Sequence, residues 1–234
     1  MSVFRFKKFE LSNERAAMKL GTDSVLLGAC VDVDGVKNVL DVGTGTGVIA
    51  LMIAQRTEGE LQPQIDAIDI DLPSVEEAKE NFENSPWADR LRVFHSALQD
   101  YPLKEYELIV SNPPYFDNSL LNPDSRKSGA RHTFSLSYID ILEYARQSLS
   151  PQGRLALILP AEVEKNLIRV AASYSLFPRS ILRVRTVERK APKRIVIEFS
   201  RIKLESRITN LTMSSEGKYT AEYNKLVEAF LLNL

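Results

Sequence analysis

Residues 108–116 read LIVSNPPYF, an apolar run that breaks off at a side chain a core strand has no use for. Leu108, Ile109 and Val110 are β-formers. Asn112-Pro113-Pro114-Tyr115 halts them, because neither proline can donate to a ladder and each fixes its own φ. A proline also keeps the residue before it extended, so Asn112 presents an amide in one backbone conformation at a strand tip. A second constellation lies upstream in VLDVGTGTGVIAL, where Asp41 ends an apolar run and Gly43, Gly45 and Gly47 lead into a helix-like stretch. Glycines at such a junction allow positive φ and let a ligand approach bare backbone.

The spacing is G-x-G-x-G, not the G-x-G-x-x-G of a dinucleotide loop, which must cradle a pyrophosphate with N–H groups at a helix N-terminus. An acid two residues before the first glycine suits a ligand that carries an ammonium group. The next apolar run ends AIDID and puts Asp69 22 positions beyond Gly47, where a carboxylate can accept both hydroxyls of a ribose. Ammonium, carboxylate and ribose without phosphate describe S-adenosylmethionine.

The elements that must position these groups follow from periodicity. Strands are expected at 38–43, 64–70, 91–96, 107–112 and 153–160, with helices at 48–56, 73–85 (Pro73 near its first turn) and 135–150 between or beside them. Such alternation argues an α/β fold with a doubly wound, mostly parallel sheet. A short helix at about 161–173 leads to two β-rich segments, 180–187 and 194–202, joined by the polar turn ERKAPK. These read as an antiparallel C-terminal hairpin that completes a seven-stranded sheet. An amphipathic helix at 220–234 closes the chain. The expected organisation is one domain, with residues 1–37 as an N-terminal extension and 180–234 as hairpin plus helix. GTDSVLL (21–27) reads as a helix start, with Thr22 or Asp23 as N-cap.

Composition bounds the function. The chain has 234 residues, 44% hydrophobic and 26% charged, with net charge −1. A nucleic-acid partner must therefore be met by a local patch. One lies between Pro178 and Lys203, where nine cations, among them Arg183 and Arg185, face only Glu188 and Glu198. Arg183 and Arg185 share one face of a strand, and a basic tract around a hairpin suits phosphates. Charges also protect sheet edges from aggregation, and both readings stand. The single cysteine, Cys30, sits in an apolar run and reads as a core residue of a reducing compartment. His95 and His132 are far apart with no Cys/His/Glu cluster, so no metal is expected. There is no apolar run of membrane-spanning length, and MSVFRFKKFEL lacks a signal-peptide core, so a cytoplasmic protein is expected.

DVGTGTG combined with NPPY after the fourth strand resembles the class I S-adenosylmethionine-dependent methyltransferases, over about residues 20–200. Within them, N-P-P-Y resembles the motif of enzymes that methylate a planar nitrogen, either an exocyclic base amine or a glutamine amide. FRFKKFEL followed by MKLGTDSVLLGAC is similar to the bacterial tRNA1(Val) adenine-37 N6-methyltransferase family.

The resemblance implies S-adenosylmethionine as cofactor, tRNA as partner and a Rossmann-like fold. It also implies that Asn112, the Pro113 carbonyl and Tyr115 carry the chemistry. Lys19, Gly21 and Thr22 would line the cofactor's methionine end, and a backbone N–H at Ala97 would meet its adenine edge. Pro114 would lie on the substrate side, and DSRKSGARHTF (124–134) is similar to the family's substrate loop, with Arg126 and Arg131 toward RNA. A protein glutamine N5-methyltransferase, a ribosomal RNA guanine N2-methyltransferase and a non-catalytic RNA chaperone are the rival readings. The basic hairpin speaks against the first of these, and an intact Asn112 and Tyr115 against the last.

Overall fold

The structure, a computed structural model, describes residues 3–59, 62–114 and 136–232. Its centre is a sheet whose strands are β3 (Asn38–Val42), β4 (Gln64–Asp69), β5 (Leu91–His95), β6 (Tyr106–Ser111), β7 (Leu149–Pro160), β8 (Phe177–Val187), β9 (Arg194–Ser200), β10 (Arg207–Ser215) and β11 (Lys218–Tyr219). Their spatial order is β11-β10-β8-β9-β7-β6-β3-β4-β5. The five strands from β3 to β7 pair in parallel, β9 runs antiparallel to both β7 and β8, and β10 is parallel to β8.

The described sheet therefore has nine strands where seven were expected. The two additions carry no strand signal in the sequence, for a physical reason. In β10 only Leu211 is buried, so this outer strand lacks the apolar alternation that marks a half-buried one. A separate two-stranded ladder, β1 (Val3–Arg5) with β2 (Glu10–Ser12), forms the N-terminal hairpin. Its turn stacks Phe6 on Phe9 with ring centroids 4.3 Å apart, and Phe6 bridges Leu231 near the other end of the chain.

Strand periodicity divides the core into two layers. Val39, Leu108, Val110, Ala156 and Ile158 face one side, with α1 (Thr22–Cys30), α2 (Val48–Arg56), α3 (Leu72–Glu83) and α6 (Ala221–Val227). Leu40, Ile109, Leu155, Leu157 and Ile197 face the other, with α4 (Tyr138–Ser148) and α5 (Glu164–Ser173). The helix α2 is apolar nearly all round because α1 covers the side the sheet leaves open: Val48 through Gln55 are buried. Side chains such as Leu51 and Ile53, fully buried there, each contribute about 1.5–3 kcal/mol. Gly28 is where α1 and α2 touch, since a Cβ there would lie 2.8 Å from Met52 Sδ.

Caps set the helix starts. Asp71 accepts the Ser74 N–H at 3.0 Å, with Pro73 in the first turn of α3. Ser137 and Asp140 form a reciprocal capping box at α4. The N-cap of α1 is Gly21 and carries no side-chain cap; Asp23, one of the two expected caps, instead pairs with Arg194 at 2.7 Å. The expected closing helix is shorter than its apolar pattern, ending at Val227. Cys30 is half-buried, and burial pushes its thiol up to about 12, which suits a packing residue.

Candidate active site

The carboxyl ends of β3, β4, β5 and β6 lie side by side, and in an open α/β sheet that edge forms the ligand crevice. The chain leaves β3 through Gly43, Gly45 and Gly47, whose φ values of 70°, 55° and 83° belong to the left-handed region. The Ile68 carbonyl accepts from the N–H groups of both Gly43 and Thr44, which lashes the turn to β4. Beside it opens a cavity of about 330 Å³ whose wall includes Gly43, Gly45, Asp69, Ala97, Asn112 and Pro114. Groups spread over 72 positions of sequence thus meet in one space.

Asp69, at the tip of β4, accepts N–H groups from Gly45 at 2.8 Å and Asp71 at 2.9 Å, one on each oxygen. Burial raises its pKa, against which these donors work. Asp41 is fully buried one strand away. Its Oδ2 accepts from Thr44 Oγ1 at 2.7 Å, while Oδ1 has no hydrogen-bond partner among the described residues. Burial pushes this carboxyl up to about 7, and the neighbouring Asp69 charge adds to the effect. A buried carboxylate oxygen without a donor is costly, and a cationic donor brought by a ligand would relieve it.

Asn112 is the first residue after β6 and is only 9% exposed. Its Nδ2 donates to Ser24 Oγ of α1 at 3.1 Å, and Ser111 Oγ ties the same strand tip to the Val42 carbonyl at 2.7 Å. The chain after β5 turns back under the cavity, with Ser96 N–H on the Asp69 carbonyl, so that Ser96, Ala97 and Leu98 form the wall opposite Asn112's strand.

A strap formed by residues 12–17 crosses toward the cavity, held from below by α3. The buried Glu77 carboxylate accepts N–H groups from Glu14, Arg15 and Ala16 at 2.6–2.9 Å and the Ser12 hydroxyl at 3.0 Å. Burial pushes the Glu77 carboxyl up, but these donors outweigh it and leave it below its ordinary value. Asn81, one turn on, accepts from Ser12 N–H and donates to the Thr46 carbonyl, joining strap to glycine turn. Glu77, Asn81 and Ser24 were not singled out from the sequence. The i, i+4 spacing of the first two, polar groups on the same side of α3 as Ala78 and Phe82, was the available signal.

Other expected site residues are placed differently. Gly47 is absent from the cavity wall: a Cβ on it would lie 2.5 Å from Phe82 Cε1, so its lack of a side chain serves helix packing. Lys19, Gly21 and Thr22 are exposed and also off that wall, with Lys19 Nζ donating to the Glu14 carbonyl. Arg183 is engaged inside the fold, its guanidinium forked on Glu164 at 2.6 and 2.9 Å. Arg185 makes long contacts to the Glu188 carbonyl and Asn210. Tyr115, Arg126, Arg131 and His132 lie outside the described residues.

Comparison with known proteins decides the family. A family model described as the Methyltransferase small domain matches residues 15–169. The tRNA1(Val) (adenine(37)-N6)-methyltransferase of Tolumonas auensis is 39% identical over 232 residues, covering 99% of this chain and 97% of the relative. Those of Parabacteroides distasonis and Trichodesmium erythraeum are 42% and 43% identical, again across 97–99% of both chains. The chain belongs to this family.

The methyltransferase also shares its fold with solved structures. A predicted O-methyltransferase from Agrobacterium tumefaciens superposes with a TM-score of 0.68 at 18% identity, over 89% of this chain and 96% of that one. TYW2 of Pyrococcus horikoshii in complex with MeSAdo gives 0.59 at 13% identity, over 85% and 70%. The cofactor is S-adenosylmethionine, and the cavity fits it: Asp69 puts a carboxylate on the wall beside Gly43 and Gly45, whereas Asp41, also expected there, is fully buried and off that wall. Among the described residues no helix is long and apolar enough to cross a membrane, and no group of three His, Cys, Asp or Glu side chains could hold a metal.

Proposed function

We propose that the protein methylates the exocyclic N6 of adenine 37 in tRNA1(Val), with Asn112 and the Pro113 carbonyl as the groups that hold the reacting amine. The observation that carries the reading is the buried Asn112 amide, anchored through Nδ2 to Ser24 on the wall of the cavity that also contains Gly43, Gly45 and Asp69. S-adenosylmethionine bound there supplies an electrophilic sulfonium methyl. Asp69 would accept the ribose hydroxyls, Asp41 would answer the ammonium, and the backbone around Gly43, Gly45 and Ala97 would frame the cofactor.

An exocyclic base amine is a poor nucleophile, because its lone pair is delocalised into the ring. With Asn112 Nδ2 donating to Ser24, Oδ1 of the same amide would accept one amine hydrogen while the Pro113 C=O would accept the other. Two acceptors out of the ring plane draw the nitrogen toward tetrahedral geometry and free its lone pair. No base is needed beforehand, since the N–H becomes acidic only after methylation, so the residues contribute orientation and polarisation. Tyr115 would stack on the base, a contact of roughly 1–3 kcal/mol, with Pro114 beside it. Arg126 and Arg131 would meet the RNA.

The test is incubation with labelled cofactor and total RNA from cells lacking the protein, followed by digestion to nucleosides. N6-methyladenosine in the tRNA fraction is the expected product. Label in protein alone would overturn the RNA reading, and N2-methylguanosine would move the substrate to another base. Asn112→Ala should lower turnover by several orders of magnitude while cofactor still binds; near-normal turnover would refute the polarisation mechanism.

A further inference from the structure

The basic tract between Pro178 and Lys203 is uniform in sequence, but the fold divides it. Arg179 pairs with Asp32, Arg183 with Glu164 and Arg194 with Asp23. Arg201 closes on the carbonyls of Arg146, in the last turn of α4, and Leu149, just past it, and Lys203 lies over the Phe177 ring. Arg185 is half-buried against Asn210. Arg189, Lys190 and Lys193 remain. All three are exposed, and their side chains make no hydrogen bond or ion pair among the described residues.

These three occupy one turn, between β8 and β9, and topology fixes where it lies. Because β9 is antiparallel to β7, Arg194 stands opposite Pro160, and Lys193 C=O accepts the Ala161 N–H just past the end of β7. The turn therefore sits at the carboxyl end of the sheet, the end that carries Asn112. Two and three strand spacings separate β6 from β9 and β8, about 10–14 Å at roughly 4.8 Å per strand. Nucleotides neighbouring a base held at Asn112 can span that distance. Three cations with no hydrogen-bond or ion-pair partner among the described residues, in a chain of net charge −1, complement a phosphate backbone.

We infer that the β8–β9 turn, through Arg189, Lys190 and Lys193, is a docking surface for the phosphate backbone of the RNA substrate. The inference rests on the proposed RNA reading and adds a surface to it, while removing Arg183 from the expected contacts.

The test compares the wild-type protein with the triple variant Arg189→Gln/Lys190→Gln/Lys193→Gln in binding to an unmodified tRNA transcript over a range of salt. Each lost phosphate contact lowers the slope of log affinity against log salt by roughly 0.7–0.9. The triple variant should thus lose about 2–3 units of slope and bind at least about tenfold more weakly at low salt. Its melting temperature and cofactor affinity should be unchanged. Arg207→Gln, an exposed cation at the start of β10 and hence at the opposite end of the sheet, should leave the slope as it is. Wild-type affinity and slope in the triple variant would overturn the docking surface while leaving the RNA reading intact. A wild-type protein that binds no RNA would overturn both.

Discussion

Gly47→Ala separates two roles that the glycine turn combines. Gly47 has φ 83° and a would-be Cβ 2.5 Å from Phe82 Cε1, 3.0 Å from Phe82 Cζ and 3.4 Å from Ala78 Cβ. Left-handed backbone costs an L-residue about 1–2 kcal/mol. Forcing a methyl against a packed ring costs about 1–3 kcal/mol more, for a total of about 2–5 kcal/mol. At about 2–4 °C per kcal/mol for a chain of this size, the variant should melt roughly 4–20 °C below wild type without cofactor. Gly45→Ala shares the left-handed backbone cost, at φ 55°, but its Cβ would meet only the Met18 carbonyl, at an ordinary 3.6 Å, while adding a methyl to the cavity wall. It should lose cofactor affinity out of proportion to stability. Thermal melts and cofactor titrations on both variants give the comparison. In a Phe82→Leu background the Gly47→Ala penalty should shrink, because the clashing ring is gone. A Gly47→Ala protein melting within about 2 °C of wild type but unable to bind cofactor would refute the packing argument.

Ser24→Ala removes the hydrogen bond that Asn112 Nδ2 donates to the Ser24 hydroxyl. With one hydrogen bond lost at about 0.5–1.5 kcal/mol, kcat should fall roughly two- to thirteenfold with an unchanged KM for cofactor, and Ser24→Thr should restore it. A fall in cofactor affinity alone would show that Ser24 does not act through Asn112. Cofactor binding should also depend on pH through Asp41, whose carboxyl burial raises to about 7. A cofactor ammonium met by Asp41, as proposed, would favour the anion, so the complex would hold fewer protons than the free protein and affinity would rise with pH. Between pH 7.5 and 6 the loss should be about fivefold or more. Titration calorimetry in buffers of different ionisation enthalpy should detect proton release, and Asp41→Asn should abolish it; a pH-independent affinity in the wild-type protein would refute the linkage.

Much of this molecule is local in origin. Strand β6 ends where two prolines follow Asn112, and the turn after β3 takes positive φ where glycines permit it, so both constellations are readable from neighbouring residues. The parallel strands were legible because burial on both faces demands continuous apolar runs. Strand β10 was not, because an outer strand with a single buried side chain carries no such pattern. Which glycines line the cavity and which meets Phe82 depended on how α3 packs, which residue spacing does not encode. The nine cations of the 179–203 tract look alike in sequence, and the placement of Glu164, Asp23 and Asp32, of the Arg146 and Leu149 carbonyls and of the Phe177 ring decides which are consumed by the fold. Likewise Ser24 and Glu77 become part of the site through contacts spanning more than 60 positions. Backbone chemistry determined where the reactive groups sit along the chain; the closing of a twisted sheet determined which of them share a cavity, since charge pairing and steric exclusion act through space.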